Sequence, residues 1–307
     1  MPKMPLLAAA LALSVSLALL ARGQTAPATA PTPAPARLNA ALPTLWIIGD
    51  STINNTAGGA LGWGAPAAIG KLFDPAKINV QNKARGGRSA RSYYSEKLWD
   101  EIKTALKPGD FVLMQFGTND GGDPKSATSK GRPDLPGIGE ETSTGTASTG
   151  GQQETVHTFG WYMDVYVKDT QAKKATPIML NPVPHNRWDT TSTPPKVRRG
   201  EVNSFDKWSS DVALKENAPY IDLCEISCSR LDKEGQQVAS PKYFMADGTH
   251  TTPAGALLNA ESVVMGIRAL KDLKLNDYLS DAGKKLDPAD AKTVRAPKPP
   301  TTSAPAN

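Results

Sequence analysis

Five short apolar runs constrain what this chain can fold into: Thr44 to Ile48, Lys77 to Asn82, Asp110 to Phe116, Thr176 to Pro182 and Pro219 to Leu223. Runs of this length, bounded by turn-forming residues, read as strands buried on both faces. Between them the apolar period changes. Leu98, Ile102, Ala105 and Leu106 recur at helical spacing between the second and third runs. After the fifth, Ala256, Ala260, Val263, Ile267 and Leu270 mark one face of a helix that Thr252 can cap and Pro253 can start. Strands alternating with helices predict an α/β chain with a five-stranded parallel sheet, a flavodoxin-like three-layer α/β/α sandwich. No internal repeat is present.

In such a sheet, ligands bind outside the carboxyl ends of the strands, so functional residues should follow strands rather than precede them. Ser51 follows the first run, in "LWIIGDSTINN". Gly86 and Gly87 follow the second, in "NKARGGRSARS". Asn119 and Asp120 follow the third, in "FGTNDGG", and His185 follows the fourth, in "NPVPHNRW". Asp247 and His250 lie in "MADGTHTTPAG", between the fifth run and the last helix. The polar, turn-rich clusters therefore share one edge.

The ends of the chain do not join this pattern. In residues 1–23, Lys3 precedes an apolar run from Pro5 to Leu20, followed by Arg22 and Gly23. That is the order of a secretory signal, and the run is short for a membrane span, so a secreted or periplasmic location with no stable membrane anchor is expected. Residues 24–40 are rich in Ala, Pro and Thr and read as an extended linker. From Asp281 to Asn307 the composition of Lys, Pro and Asp predicts a disordered tail, which leaves residues 41–280 as the folded domain.

The net charge of +5 comes from these ends. Of 35 basic and 30 acidic residues, the first 40 positions hold three basic and no acidic, and the segment from Asp281 holds five and three, leaving 27 of each in the body. A neutral body argues against a nucleic-acid partner, which requires a clustered basic surface. The two cysteines, Cys224 and Cys228, are four residues apart, consistent with one local bridge or with two free buried thiols; a metal site would need more ligands.

A serine hydrolase needs a nucleophile, a base, a group that orients the base, and donors for the oxyanion. Among three histidines, His250 stands three residues after Asp247 in a turn before a helix, so the carboxylate can fix its tautomer from the same loop. His157 and His185 have no acid at comparable spacing. Ser51 and Gly87 can offer backbone N–H groups and Asn119 an amide. Taken singly, each of these is ordinary turn chemistry. On one edge and in this chain order, they favour catalysis.

The blocks "GDST", the glycine after the second strand, "GTND" and "DGTH" resemble the four blocks of the SGNH (GDSL-type) hydrolases. The elbow G-x-S-x-G of the α/β-hydrolase fold is absent, in keeping with that family. "NKARGGRSARSY", "FGTNDGG", "TFGWYM" and "DGTHTTPAGA" are similar to the rhamnogalacturonan acetylesterases of carbohydrate esterase family 12, over nearly all of residues 44–270. The resemblance implies the SGNH hydrolase fold, with Ser51 as nucleophile, His250 as base and Asp247 as its orienter. It implies an oxyanion hole formed by the N–H groups of Ser51 and Gly87 and the Asn119 side chain. Thr118 stands where some relatives carry His, a change in the pocket wall rather than in the mechanism.

The implied reaction is two-step deacetylation of plant cell-wall polysaccharide with no metal or organic cofactor. Acetylxylan or lipid esters are the alternative substrates, and a catalytically dead carbohydrate-binding protein is the non-enzyme alternative, disfavoured by the intact relay residues. Arg85, His185 and Trp188 are candidate substrate contacts, Trp188 as a stacking face and Arg85 as a partner for a galacturonate carboxylate. Arg88 and Arg91 read as braces, and Trp161 as core. The Gly-, Ser- and Thr-rich stretch from Gly121 to Gln153 reads either as a wall of a polysaccharide cleft or as a surface insertion.

Overall fold

The computed structural model describes residues 38–147, 151–200 and 204–298. The signal-like segment and nearly all of the linker lie outside the described residues. The strands are β1 (Thr44–Gly49), β2 (Asn79–Asn82), β3 (Phe111–Gln115), β4 (Thr142–Thr146), β5 (Gln153–His157), β6 (Thr176–Leu180), β7 (Trp188–Asp189), β8 (Lys196–Val197), β9 (Tyr220–Ile221) and β10 (Val294–Arg295). The α-helices are α1 (Ala90–Ser95), α2 (Leu98–Ala105), α3 (Phe159–Ala172), α4 (Phe205–Lys215), α5 (Leu223–Glu234), α6 (Gln236–Tyr243), α7 (Pro253–Ala269) and α8 (Asp281–Lys285).

The central sheet runs β10-β9-β6-β3-β1-β2. Its first five strands in chain order are parallel and follow 2-1-3-4-5, the doubly wound order of a flavodoxin-like sheet. Side chains alternate between two cores. Leu45, Ile47, Phe111, Leu113, Ile178 and Leu180 face one cluster, completed by Ala256, Ala260, Val263, Val264 and Ile267 of α7. Trp46, Ile48, Val112, Met114 and Met179 face the other, against Trp99 and Ile102 of α2, Phe159 to Val167 of α3, and Val212 and Ala213 of α4. Burial contributes about 1.5–3 kcal/mol per large apolar side chain. A one-residue slip of β1 would exchange its two apolar faces, so these contacts fix where the strand ends.

α7 begins as the sequence indicates: Thr252 Oγ1 accepts from Gly255 N at 3.2 Å and Pro253 occupies the first turn. Gly255 lies against the end of α6 so closely that a Cβ would sit 2.1 Å from the Tyr243 carbonyl oxygen.

Two segments differ from expectation. The tail predicted to be disordered from Asp281 is built into the fold as far as Lys298. Ser280 caps α8, Leu286, Ala289 and Val294 pack on the first core, and β10 pairs antiparallel with β9 through Val294↔Ile221 and Arg295↔Tyr220. Three apolar anchors spread among Lys, Asp and Pro are too sparse for a period, and a two-residue strand has none. The Gly121–Gln153 stretch, which shows no strand pattern, holds β4, paired antiparallel with β5 from Thr142↔His157 to Thr146↔Gln153. "TSTGT" carries no large apolar side chain, so its ladder leaves no hydrophobic alternation to read.

Candidate active site

β1 delivers its residues to the edge through a glycine that nothing else could replace. Gly49 has φ +150°, and a Cβ there would lie 2.2 Å from the Gln115 carbonyl oxygen. The chain then turns, with Ile53 N and Asn54 N donating to the Asp50 carbonyl oxygen. The Asp50 side chain is fully buried beneath the turn, its Oδ1 accepting from Thr52 N at 2.8 Å and Thr52 Oγ1 at 2.7 Å. A relay continues into β3: Gln115 Nε2 donates to Thr52 Oγ1 at 2.7 Å, and Trp63 Nε1 donates to Gln115 Oε1 at 2.9 Å. Burial raises the Asp50 carboxyl above the ordinary range, opposed by the Thr52 hydroxyl and amide. This network holds the residue between Asp50 and Thr52 in one orientation. That residue is Ser51.

His250 reaches Ser51 from a loop of its own. Met245 N donates to the His250 carbonyl oxygen and Gly248 N to that of Met245, while Leu61 N and the Leu61 carbonyl oxygen hold Thr251. Asp247 Oδ1 accepts from Thr249 N and His250 N, both at 2.9 Å, which leaves Oδ2 facing the ring. His250 Nδ1 lies 2.6 Å from Asp247 Oδ2, and Nε2 lies 2.9 Å from Ser51 Oγ. With Nδ1–H donating to the carboxylate, Nε2 is left to accept the Ser51 hydroxyl. These bonds, first the ring's and then the two backbone amides', lower the Asp247 carboxyl to about 2. The carboxylate is thus ionised wherever the imidazole can act.

Of the expected oxyanion donors, the glycine turn lies beside Ser51. Arg88 N donates to the Arg85 carbonyl oxygen, closing a turn whose third residue, Gly87, has φ +75°. A Cβ on neighbouring Gly86 would lie 3.7 Å from Ser51 Cβ, so the turn passes beside the nucleophile. The N–H groups of Ser51 and Gly87 donate to no acceptor among the described residues. Asn119 Nδ2 gives one hydrogen bond, at 3.1 Å, to the Arg88 carbonyl oxygen, tying the third-strand loop to the glycine turn.

A buried brace under these loops is less legible in sequence. Asp120 Oδ1 and Oδ2 accept from Ala90 N (2.7 Å) and Gly117 N (2.8 Å), and Asp134 Oδ1 accepts from Arg91 N (3.2 Å). Burial raises both carboxyls, and the charge of Asp120 raises Asp134 further. Arg91 is fully buried, its guanidinium donating to Glu154 Oε1 and the Pro133 and Thr146 carbonyl oxygens, which fastens the β4–β5 hairpin to α1. Arg88 pairs with Glu96 at 2.9 Å. Both arginines are the braces expected. The Asp of "GTND" was visible as a turn former; its partner, 14 residues on, carries no motif.

The candidate substrate contacts fare differently. His185 is brought close enough to the catalytic loop for the charges of His250 and Asp247 to reach it, and Asn186 N donates to the Gly248 carbonyl oxygen at 2.7 Å. Burial, then Arg187, lowers the His185 imidazole below its ordinary value. Trp188 is a correction: it is buried at 8% exposure, packs with Cys224, Cys228 and Leu258, and donates from Nε1 to Asn186 Oδ1 at 2.8 Å, so its face is not free to stack on a sugar. Trp63 is fully buried. Arg85 has an exposed side chain whose charge reaches Tyr93 and Glu101. His157 closes β5 and stacks on Trp161 at 3.8 Å, apart from the relay. The Cys224 and Cys228 sulfurs lie 3.8 Å apart and unbridged.

Fold and site together define an ester hydrolase of the three-layer α/β class. Residues 47–258 match the GDSL-like Lipase/Acylhydrolase family, and the chain belongs to that family. It is 30% identical over 244 residues to a rhamnogalacturonan acetylesterase of Emericella nidulans, covering 79% of this chain and 91% of that protein. A probable rhamnogalacturonan acetylesterase of Bacillus subtilis, YesY, is 26% identical over 74% of this chain and 93% of its own. The crystal structure of YxiM from Bacillus subtilis superposes with a TM-score of 0.59 at 22% identity, covering 75% of this chain and 57% of that one, a likeness of fold. No helix among the described residues is long and apolar enough to cross a membrane.

Proposed function

We propose that this protein is an exported serine esterase that removes acetyl groups from pectic rhamnogalacturonan through an acetyl-enzyme on Ser51. The observation that carries the mechanism is the unbroken chain Asp247 Oδ2–His250 Nδ1 at 2.6 Å and His250 Nε2–Ser51 Oγ at 2.9 Å. His250 takes the Ser51 proton as Oγ attacks the acetyl carbonyl, and Asp247 stabilises the imidazolium that forms. The amides of Ser51 and Gly87, with the Asn119 side chain, receive the developing oxyanion. The imidazolium returns its proton to the departing sugar hydroxyl, and His250 then activates the water that releases acetate. The substrate rests on the named activity of the relatives, and export on the signal-like residues 1–23.

The test is acetate release from acetylated rhamnogalacturonan and from acetylated xylan, each with a Ser51→Ala control. Release from the pectic substrate that disappears in the variant supports the whole reading. Faster release from xylan overturns the substrate, and release that survives Ser51→Ala overturns the mechanism.

A further inference from the structure

Next to the candidate catalytic loop lies a cavity of about 300 Å³, whose walls include Thr118, His185, Arg187, Arg198, Arg199 and Asp206. It adjoins the site at two points. Thr118 precedes Asn119, and His185 belongs to the segment bonded to Gly248. A polysaccharide bound at Ser51 would therefore extend toward this cavity.

The charges in this cavity are unequally satisfied. Arg199 is neutralised by Glu225 at 3.0 Å and Asp232 at 2.8 Å. Arg187 and Arg198 are exposed, and their guanidinium groups have no ion pair or hydrogen bond among the described residues. They are adjacent because Arg198 N donates to the Arg187 carbonyl oxygen at 2.8 Å, continuing the β7–β8 ladder. Asp206, the one acid among the cavity's described lining residues, accepts from Asn181 Nδ2 at 3.1 Å and is raised to about 6, chiefly by burial. Two unpaired guanidinium forks facing a polar cavity match a planar carboxylate.

We propose that Arg187 and Arg198 form a subsite for a uronate carboxylate of the substrate. The assignment rests on the pectic reading above and deepens it. It moves the acid-binding role from Arg85 to the β7–β8 ladder, and it supplies a reason why a neutral xylan would be the poorer substrate.

The test compares acetylated rhamnogalacturonan fragments with the same fragments after reduction of their carboxyl groups to alcohols. The readout is the ratio of kcat/KM for native over reduced substrate at low ionic strength. The parent protein should favour native fragments by about tenfold, the scale of a hydrogen-bonded charge contact. In the Arg187→Gln/Arg198→Gln double variant the ratio should fall toward one, and Lys at both positions should retain part of it. A ratio unchanged in the double variant, or a ratio of one in the parent, overturns the subsite. Inhibition of 4-nitrophenyl acetate hydrolysis by unacetylated fragments separates this from failure of the pectic reading. Tighter inhibition by native than by reduced fragments, lost in the double variant, upholds the subsite even if acetate is released faster from xylan; equal inhibition by both overturns it.

Discussion

Replacement of Asp247 by Asn tests the relay at the link where geometry constrains it most. Asp247 Oδ1 is committed to two backbone donors, Thr249 N and His250 N, both at 2.9 Å, and Oδ2 faces His250 Nδ1 at 2.6 Å. An asparagine must keep its oxygen at the two amides, because turning the NH₂ toward them would set donor against donor. Its NH₂ then faces the imidazole, and the ring takes the tautomer with the proton on Nε2, which cannot accept from Ser51. Two costs add. Loss of charge support for the imidazolium is about 1 kcal/mol at bulk-water screening and about 4 kcal/mol near a protein surface. The Asp247 side chain is 52% exposed, which puts this contribution at about 2 kcal/mol. The wrong tautomer adds about another 1–2 kcal/mol, the scale of a hydrogen bond that must be broken and remade. The sum of about 3–4 kcal/mol lowers kcat by about 10²–10³-fold, less than the ~10⁴ of a buried triad aspartate. Steady-state hydrolysis of 4-nitrophenyl acetate measures it, with KM expected to change less than about twofold because the substrate does not touch this carboxylate. A loss in kcat below tenfold would refute the argument that Asp247 fixes the tautomer.

Three further outcomes follow from the same structure. Asp134→Asn should flatten the pH dependence of stability: a carboxyl raised on folding contributes stability that is fully present below its ordinary 3.8 and is lost as pH rises toward the folded value, at up to about 1.4 kcal/mol per pH unit. Chemical denaturation from about pH 4 to 7 should show parent stability falling with pH more steeply than the variant's; parallel slopes would refute a carboxyl raised on folding. Ile47→Ala, at a fully buried β1 position, should cost about 2–5 kcal/mol in urea unfolding, and a cost under 1 kcal/mol would contradict the packing described. Truncation after Ser280 should lower the melting temperature, because it strips Leu286, Ala289 and Val294 from the first core and β10 from the edge of β9; an unchanged melting temperature would show that the segment adds nothing.

What could be read from sequence and what could not divide along one physical line. The strands β1, β3 and β6 were legible because each must be apolar on both faces, and such a run has few other uses. From their carboxyl ends, Ser51, Asn119 and His185 followed by position alone, and Asp247 and His250 by spacing within one loop. A hydrogen bond between distant segments leaves no such trace. Asp134 reads as one acid among 30, yet it meets Asp120 across a loop that has little apolar periodicity. Trp188 misled for the converse reason: an aromatic after a strand end has the same sequence signature whether it faces solvent or, as here, closes a small core over Cys224 and Cys228. Arg187 and Arg198 are likewise two unremarkable cations until the β7–β8 ladder sets them side by side. The nucleophile's own support shows how the two kinds of information join. β1 places Ser51 by burial, which sequence records, and the Asp50–Thr52–Gln115–Trp63 relay orients it by contacts spanning 65 residues, which only the folded chain records.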